Sequence, residues 1–234
     1  MVILGLTGSI AMGKTTAAEM FSRLGVPVYD ADRAVHLLLA RGGAAVDPVE
    51  ALFPGVTRDG AVDREALARR VFGDEEGLRR LEAILHPLVG QEKAHFLRGA
   101  ARHGSQTVIL DIPLLFETGG QVECDAVAVV MAPAFIQEQR LLQRPGMNRG
   151  RIASIRGRQM SDVQKRRLAD FIVPTGQGRA VTMRAIKSVV KEARRWRGTK
   201  WPPRRYWPRI DATPLHRYGR AHARGCSRYG DHGS

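Results

Sequence analysis

Gly8-Ser-Ile-Ala-Met-Gly13-Lys14-Thr15 is the stretch that decides the fold. It fits G-x-x-x-x-G-K-[ST], where glycines let successive backbone N–H groups curl round an anion. In such a loop the lysine reaches the β and γ phosphates and the hydroxyl holds Mg²⁺. The motif carries weight only between a strand and a helix, and both flanks are present. Residues 2–6 are an apolar run, and after Lys14 the residues Ala17, Phe21 and Leu24 recur at helical spacing. That helix adds its positive N-terminal end to the cradle. The loop predicts a nucleoside triphosphate site lined by Gly8, Ala11, Met12, Gly13, Lys14, Thr15 and Thr16. The plain alternative is a glycine turn with an exposed lysine.

Working outward, residues 26–29, 107–112, 126–131 and 171–173 are short apolar runs without clean alternation, as expected of parallel strands covered on both faces. Between the second and third strands the period is helical. Asp63 is a candidate N-cap for a helix carrying Leu67 and Val71. Leu78, Leu81, Ile84 and Leu85 continue the pattern until His86-Pro87 breaks it. Residues 133–169 are helical and rich in arginine, and a last helix covers about 179–195. These features predict an α/β fold: a P-loop doubly wound parallel sheet of about five strands, with one helical insertion and one arginine-rich helical segment. The folded domain would span 1–195, with the helical insertion over 33–103 and the arginine-rich segment over 133–169. From Trp196 the texture turns to Pro, Gly, Arg, Tyr and His without period, and residues 196–234 are expected to be a disordered basic tail.

The chain has 234 residues and a formal net charge of +14. Residues 194–234 hold eleven Lys and Arg against two acids, so the preceding core is only mildly basic. The charge therefore reports a tail more than a nucleic-acid-binding core. No run of 18 apolar residues is present, which argues against a membrane span, and the apolar start lacks the basic flank of a secretion signal. Two cysteines, Cys124 and Cys226, supply neither a disulfide framework nor a four-cysteine metal site. A cytoplasmic protein is the expectation, monomeric or a weak homo-oligomer.

A phosphate loop does not name the acceptor. A kinase needs a carboxylate by the γ-phosphate to take the acceptor proton. Asp30 and Asp32, at the carboxyl end of the second strand, are both candidates, or plain turn residues. Asp111 closes the third strand, where a carboxylate contacts Mg²⁺ or its water shell; a turn before Pro113 is the alternative. Arg140 and Arg144, four apart, share a helical face and are read either as closing over the phosphates or as a solvated basic face.

Taken in order, these segments resemble the dephospho-CoA kinase family. The matching stretches are Gly5-Leu-Thr-Gly-Ser-Ile-Ala-Met-Gly-Lys-Thr-Thr16, Val28-Tyr-Asp-Ala-Asp32, Asp63-Arg64 with Leu67, and Leu81-Glu-Ala-Ile-Leu-His86-Pro87. They continue with Asp111-Ile-Pro-Leu-Leu-Phe-Glu117, Gln139-Arg140-Leu-Leu-Gln-Arg144, Gln159, and Lys165 to Ala169-Asp170, so the resemblance covers about 1–195. It implies ATP- and Mg²⁺-dependent phosphorylation of the ribose 3′-hydroxyl of dephospho-CoA. It further implies that 1–195 is a P-loop kinase domain in which the insertion over 33–103 is the substrate domain and the arginine-rich segment over 133–169 the lid, with Asp32 as the base, Lys14 and Arg140 on the phosphates, Arg140 and Arg144 in the lid, and Arg64, His86 and Asp111 on the substrate side. For His86 a helix-capping role before Pro87 stands beside that one.

Three loop residues depart from the family's usual G-G-I-G-S-G-K: Ser9, Ala11 and Met12. If position 11 requires positive φ, alanine there costs about 1 kcal/mol. The stretch Val173-Pro-Thr-Gly176 lacks the family's asparagine, so no adenine contact is carried over. Two other classes stay open: a nucleic-acid-associated ATPase using Trp196, Trp201, Tyr206, Trp207, Tyr218 and Tyr229 among the tail's arginines, and a small-molecule kinase with another hydroxyl acceptor.

Overall fold

The computed structural model describes residues 1–157 and 159–202. In chain order it contains β1 (Val2–Thr7), α1 (Lys14–Arg23), β2 (Val28–Asp30), α2 (Ala31–Leu39), α3 (Val46–Leu52), β3 (Thr57–Arg58), β4 (Ala61–Val62), α4 (Arg64–Val71) and α5 (Glu75–Arg102). There follow β5 (Thr107–Asp111), β6 (Ala126–Met131), α6 (Ala134–Leu142), α7 (Arg149–Gly157), α8 (Asp162–Leu168), β7 (Phe171–Pro174) and α9 (Arg179–Ala193).

Five strands pair in parallel in the order β2-β5-β1-β6-β7. The central strand β1 is apolar without alternation because each of its faces meets a different helical layer. Val2, Leu4 and Leu6 pack with Met20 and Phe21 of α1 and Ile186, Val189 and Val190 of α9. Ile3 packs on the other side with Leu97 and Ala100 of α5 and with Val108, Leu110 and Val127 of the neighbouring strands. Continuous burial on both faces is what keeps such a run parallel and central.

The insertion has its own apolar cluster, built from Leu38 and Leu39 of α2, Val46 and Val49 of α3, Phe53, Val56, Val62, Leu67 and Leu81. Asp63 caps α4 as predicted, its Oδ1 accepting the N–H groups of Glu65 and Ala66 at 3.0 Å each. The sequence reading missed the β3–β4 hairpin, whose signal is Asp59-Gly60, both at positive φ (52° and 76°).

The expected break at His86-Pro87 does not occur. Helix α5 runs unbroken from Glu75 to Arg102 with Pro87 inside it. Pro87 and Ala83 both face solvent, so water can serve the carbonyl that the proline cannot bond. His86 therefore lies mid-helix and caps nothing.

The expected start of a structureless tail at Trp196 is also corrected. The Trp196 ring stacks on Phe171 with centroids 5.4 Å apart, and its Nε1–H donates to Glu192 Oε1 at 3.2 Å. Asp125 Oδ1 accepts the N–H of Thr199 at 2.6 Å and its hydroxyl at 2.9 Å, and Trp201 packs on the layer that holds Ile3. The rest of the expected tail, residues 203–234 with Tyr206, Trp207, Tyr218, Tyr229 and Cys226, lies outside the described residues. No described helix is long and apolar enough to cross a membrane. Burial pushes the Cys124 thiol up to about 12, which leaves it a small core hydrophobe.

Candidate active site

The loop between β1 and α1 is shaped by close approach and by positive φ. A Cβ on Gly8 would lie 2.3 Å from Val130 Cγ2 and 2.9 Å from its carbonyl oxygen, so only glycine lets the chain pass β6 there. Gly13 caps α1 in the left-handed region at φ 87°. Ala11 has φ 61°, so the position does require positive φ and alanine carries the strain. Met12 turns its side chain away from the loop's concave side into the core, where Sδ accepts the Ala132 N–H at 3.1 Å.

Lys14, Thr15 and Thr16 open α1, and Thr15 is exposed. Lys14 Nζ donates to Asp111 Oδ1 at 2.6 Å across the gap between α1 and the end of β5. Burial pushes the Asp111 carboxyl up, Lys14 opposes this, and the charges of Asp30 and Asp32 push it up further. Asp30 stands opposite Asp111 in the β2–β5 register, so the three carboxylates and the lysine gather at one edge of the sheet. The two acids of Asp30-Ala-Asp32 then separate by role. Asp30 Oδ1 accepts the Arg33 N–H at 3.0 Å and caps α2. Asp32, exposed in the first turn, has no hydrogen-bond or ion-pair partner among the described residues.

Arg64 is brought to the same helix: its Nη1 lies 3.4 Å from Nδ1 of His36, one turn after Asp32. His36 was not foreseen, although its i+4 spacing from Asp32 was visible. His86 stands exposed on α5 and makes no contact with these groups.

Arg140 is held at the loop and not in a freely solvated face. Its Nη1 donates to Ala11 O at 3.3 Å and Nη2 to Thr175 O at 2.6 Å. Thr175 Oγ1 in turn donates to Met12 O. Gln137, buried three residues before Arg140, donates from Nε2 to Ile10 O at 2.8 Å and accepts from Arg156 through Oε1. Neither Gln137 nor Thr175 was foreseen. Gly13, Thr16, Arg140, Arg144, Thr175 and Arg179 line an open cleft of about 750 Å³ beside the loop, the size of a nucleotide-scale site.

Further from the loop, Glu117 Oε1 accepts the Met160 N–H at 2.9 Å, and Lys165 Nζ, fully buried, lies 2.9 Å from the same oxygen. The ion pair is close but poorly directed, and Glu117 Oε2 has no partner. Burial pushes the Glu117 carboxyl up, but Lys165 and the Met160 N–H outweigh it and hold it below its ordinary range.

A phosphate loop with a lysine–carboxylate pair and a free aspartate at the carboxyl edge of a parallel sheet is kinase geometry, and comparison with known proteins names the kind. The family model described as dephospho-CoA kinase matches residues 2–179. The chain belongs to the dephospho-CoA kinase family. A dephospho-CoA kinase of Rhodospirillum rubrum is 54% identical over 204 residues, covering 85% of this chain and 97% of that protein. One of Paramagnetospirillum magneticum is 61% identical over 166 residues, 71% of this chain and 78% of that protein. Among solved structures, TT1252 from Thermus thermophilus superposes with a TM-score of 0.70 at 34% identity, over 82% of this chain and 97% of the other. Family membership makes this chain an ATP-using small-molecule kinase.

Proposed function

We propose that the chain transfers the γ-phosphoryl group of ATP to the ribose 3′-hydroxyl of dephospho-CoA, giving coenzyme A and ADP, the last step of coenzyme A synthesis. The observation that carries the reading is the gathering of Lys14, Asp111 and an unpartnered Asp32 at one sheet edge in a chain of this family.

The backbone N–H groups from Ala11 to Thr16 hold the phosphates, with Gly8 and Gly13 setting the curl of the loop. Lys14 leaves Asp111 to reach the β and γ phosphates, and Arg140 stands ready beside it with Arg144. The nucleoside lies in the cleft bordered by Thr175 and Arg179. Asp32 accepts the proton of the acceptor hydroxyl as its oxygen bonds to the γ-phosphorus and the bond to the β-phosphate oxygen breaks. Helices α2 to α5, with Arg64 beside His36, form the acceptor side and His86 its outer rim. Residues 1–195 form the kinase domain, and the reaction belongs in the cytoplasm, where ATP is held.

Oxygen donors suit Mg²⁺, and the exposed Thr15 hydroxyl with the Asp111 carboxylate is such a set. Those two groups would hold the ion, Asp111 through water, and the ion would neutralise charge on the β and γ oxygens.

The test is to incubate the full chain with ATP, Mg²⁺ and dephospho-CoA and to follow ADP and coenzyme A by mass, with a nucleoside and AMP as parallel acceptors. Coenzyme A formed with dephospho-CoA alone is expected. ADP without coenzyme A, or another acceptor preferred, sinks the reading.

A further inference from the structure

The side of the phosphate loop away from Lys14 is fastened to the lid by residues to which the proposed reaction gives no work. Ser9 is buried, and its hydroxyl donates to Asp162 Oδ1 at the start of α8, 2.6 Å away. The next residue, Ile10, donates its N–H to Gln159 Oε1 at 3.1 Å. Ala11 packs its methyl against Leu141 of α6 and Ile152 of α7. Thus the three residues after Gly8 are each occupied from the lid, one through a carboxylate and one through a loop amide.

A carboxylate is an unfavourable neighbour for a loop whose task is to hold a triphosphate. The O–H···O⁻ bond from Ser9 holds that negative charge against the loop. Phosphates entering the loop repel Asp162. The charged contact that fastens the lid is therefore one that the nucleotide must weaken.

We propose that Ser9 and Asp162 form a latch between phosphate loop and lid that opposes nucleotide binding and thereby sets the affinity for ATP and ADP. The proposal rests on the reading of residues 8–15 as the ATP cradle. Asp162 acts through Ser9 and the loop, so it is a positioning residue and not one of the reacting groups.

Two substitutions separate bond from charge. Asp162→Asn keeps an oxygen that can accept from Ser9 but removes the charge; Ser9→Ala removes the tether and frees the carboxylate to swing away. Both are expected to tighten ATP and ADP binding by about three- to tenfold, the range for one charge at a partly solvated site. The double variant should bind no more tightly than Asp162→Asn alone, because the two changes release one device. Calorimetric titration of the full chain with ATP and with ADP, without acceptor, reads this directly, and melting temperatures of all variants check that the fold is kept. Unchanged or weakened binding in both single variants overturns the latch while the nucleotide site stands. Absence of binding in the unmodified chain overturns the nucleotide site and the latch together.

Discussion

The two edges of the parallel sheet use the same residue type in opposite ways. At the N-terminal edge, Asp125 Oδ2 accepts the Ile3 N–H at 2.8 Å, while Oδ1 takes two donors from Thr199 and the Lys200 N–H at 3.2 Å. Asp170 Oδ2 accepts the Val127 N–H at 2.8 Å on the neighbouring strand. Among the described residues, Asp30 is the one aspartate of the C-terminal edge used this way; Asp111 is held by a lysine on a flexible stem, and Asp32 has no hydrogen-bond or ion-pair partner there. A carboxylate saturated by backbone donors contributes to stability. One left unsaturated contributes little to the fold and is available to a ligand.

The sharpest way to break that comparison is Asp32→Asn. Turnover should fall by about 10²–10⁴-fold, the usual contribution of a positioned base, with ATP affinity and urea midpoint unchanged. Steady-state rates and a nucleotide titration on the same preparation decide it. Near-normal turnover would remove Asp32 from the role of base, and a large loss of stability would mean that it is structural after all.

The pair Lys165–Glu117 lies among the loops of the active edge yet resembles the structural edge, since it ties α8 to the loop after β5. Lys165→Met should cost about 3–5 kcal/mol of unfolding free energy, because it leaves a carboxylate in a mostly buried place without its cation. The pH dependence separates this from simple loss of packing. Glu117 is held below its ordinary pKa, so its contribution is present above the ordinary carboxylate range and is lost as pH falls through the depressed value. Urea midpoints from pH 7 to pH 3 should show that acid loss in the unmodified chain and a smaller one in the variant.

Asp125→Asn belongs to the other edge. It keeps the shape but turns one of the two accepting oxygens into an NH₂ donor, so either the bond from Ile3 or those from Thr199 and Lys200 are lost, and about 1–3 kcal/mol of stability should go with them at unchanged turnover per folded molecule. Altered kinetics would show that the two edges are coupled.

What was legible in the sequence follows the same division. The strands were visible because burial on both faces demands unbroken apolar runs, read at 2–6, 107–112 and 126–131 and found at Val2–Thr7, Thr107–Asp111 and Ala126–Met131, and the loop was visible because an anion cradle demands Gly8, Gly13 and Lys14 at fixed spacing. Contacts made across the chain were not visible. Ser9 and Asp162 are 153 residues apart, and Thr175 meets Met12 through a backbone carbonyl that any residue possesses. The Asp125 clasp was missed for the same reason, and with it the order of residues 196–202. Pro87 misled because the rule that proline ends a helix assumes a dry carbonyl one turn earlier, whereas this face of α5 is wet.

The smallest expected effect is the most informative about the loop. Ala11 sits at φ 61°, where relief of strain by Ala11→Gly is worth about 1 kcal/mol. Against this, glycine enlarges the unfolded ensemble by about 0.4–1 kcal/mol. It also removes a methyl that packs on Leu141 and Ile152, a burial of about 0.8 kcal/mol. The terms leave a net loss of about 0.2–0.8 kcal/mol, so the melting temperature should fall by no more than about 3 °C. A clear gain would mean that the methyl contributes little and the lid is fastened by Asp162 and Gln159 alone. A clear loss would mean that the apolar contact outweighs the strain, and that this loop uses its alanine, as it uses Ser9, to hold the lid.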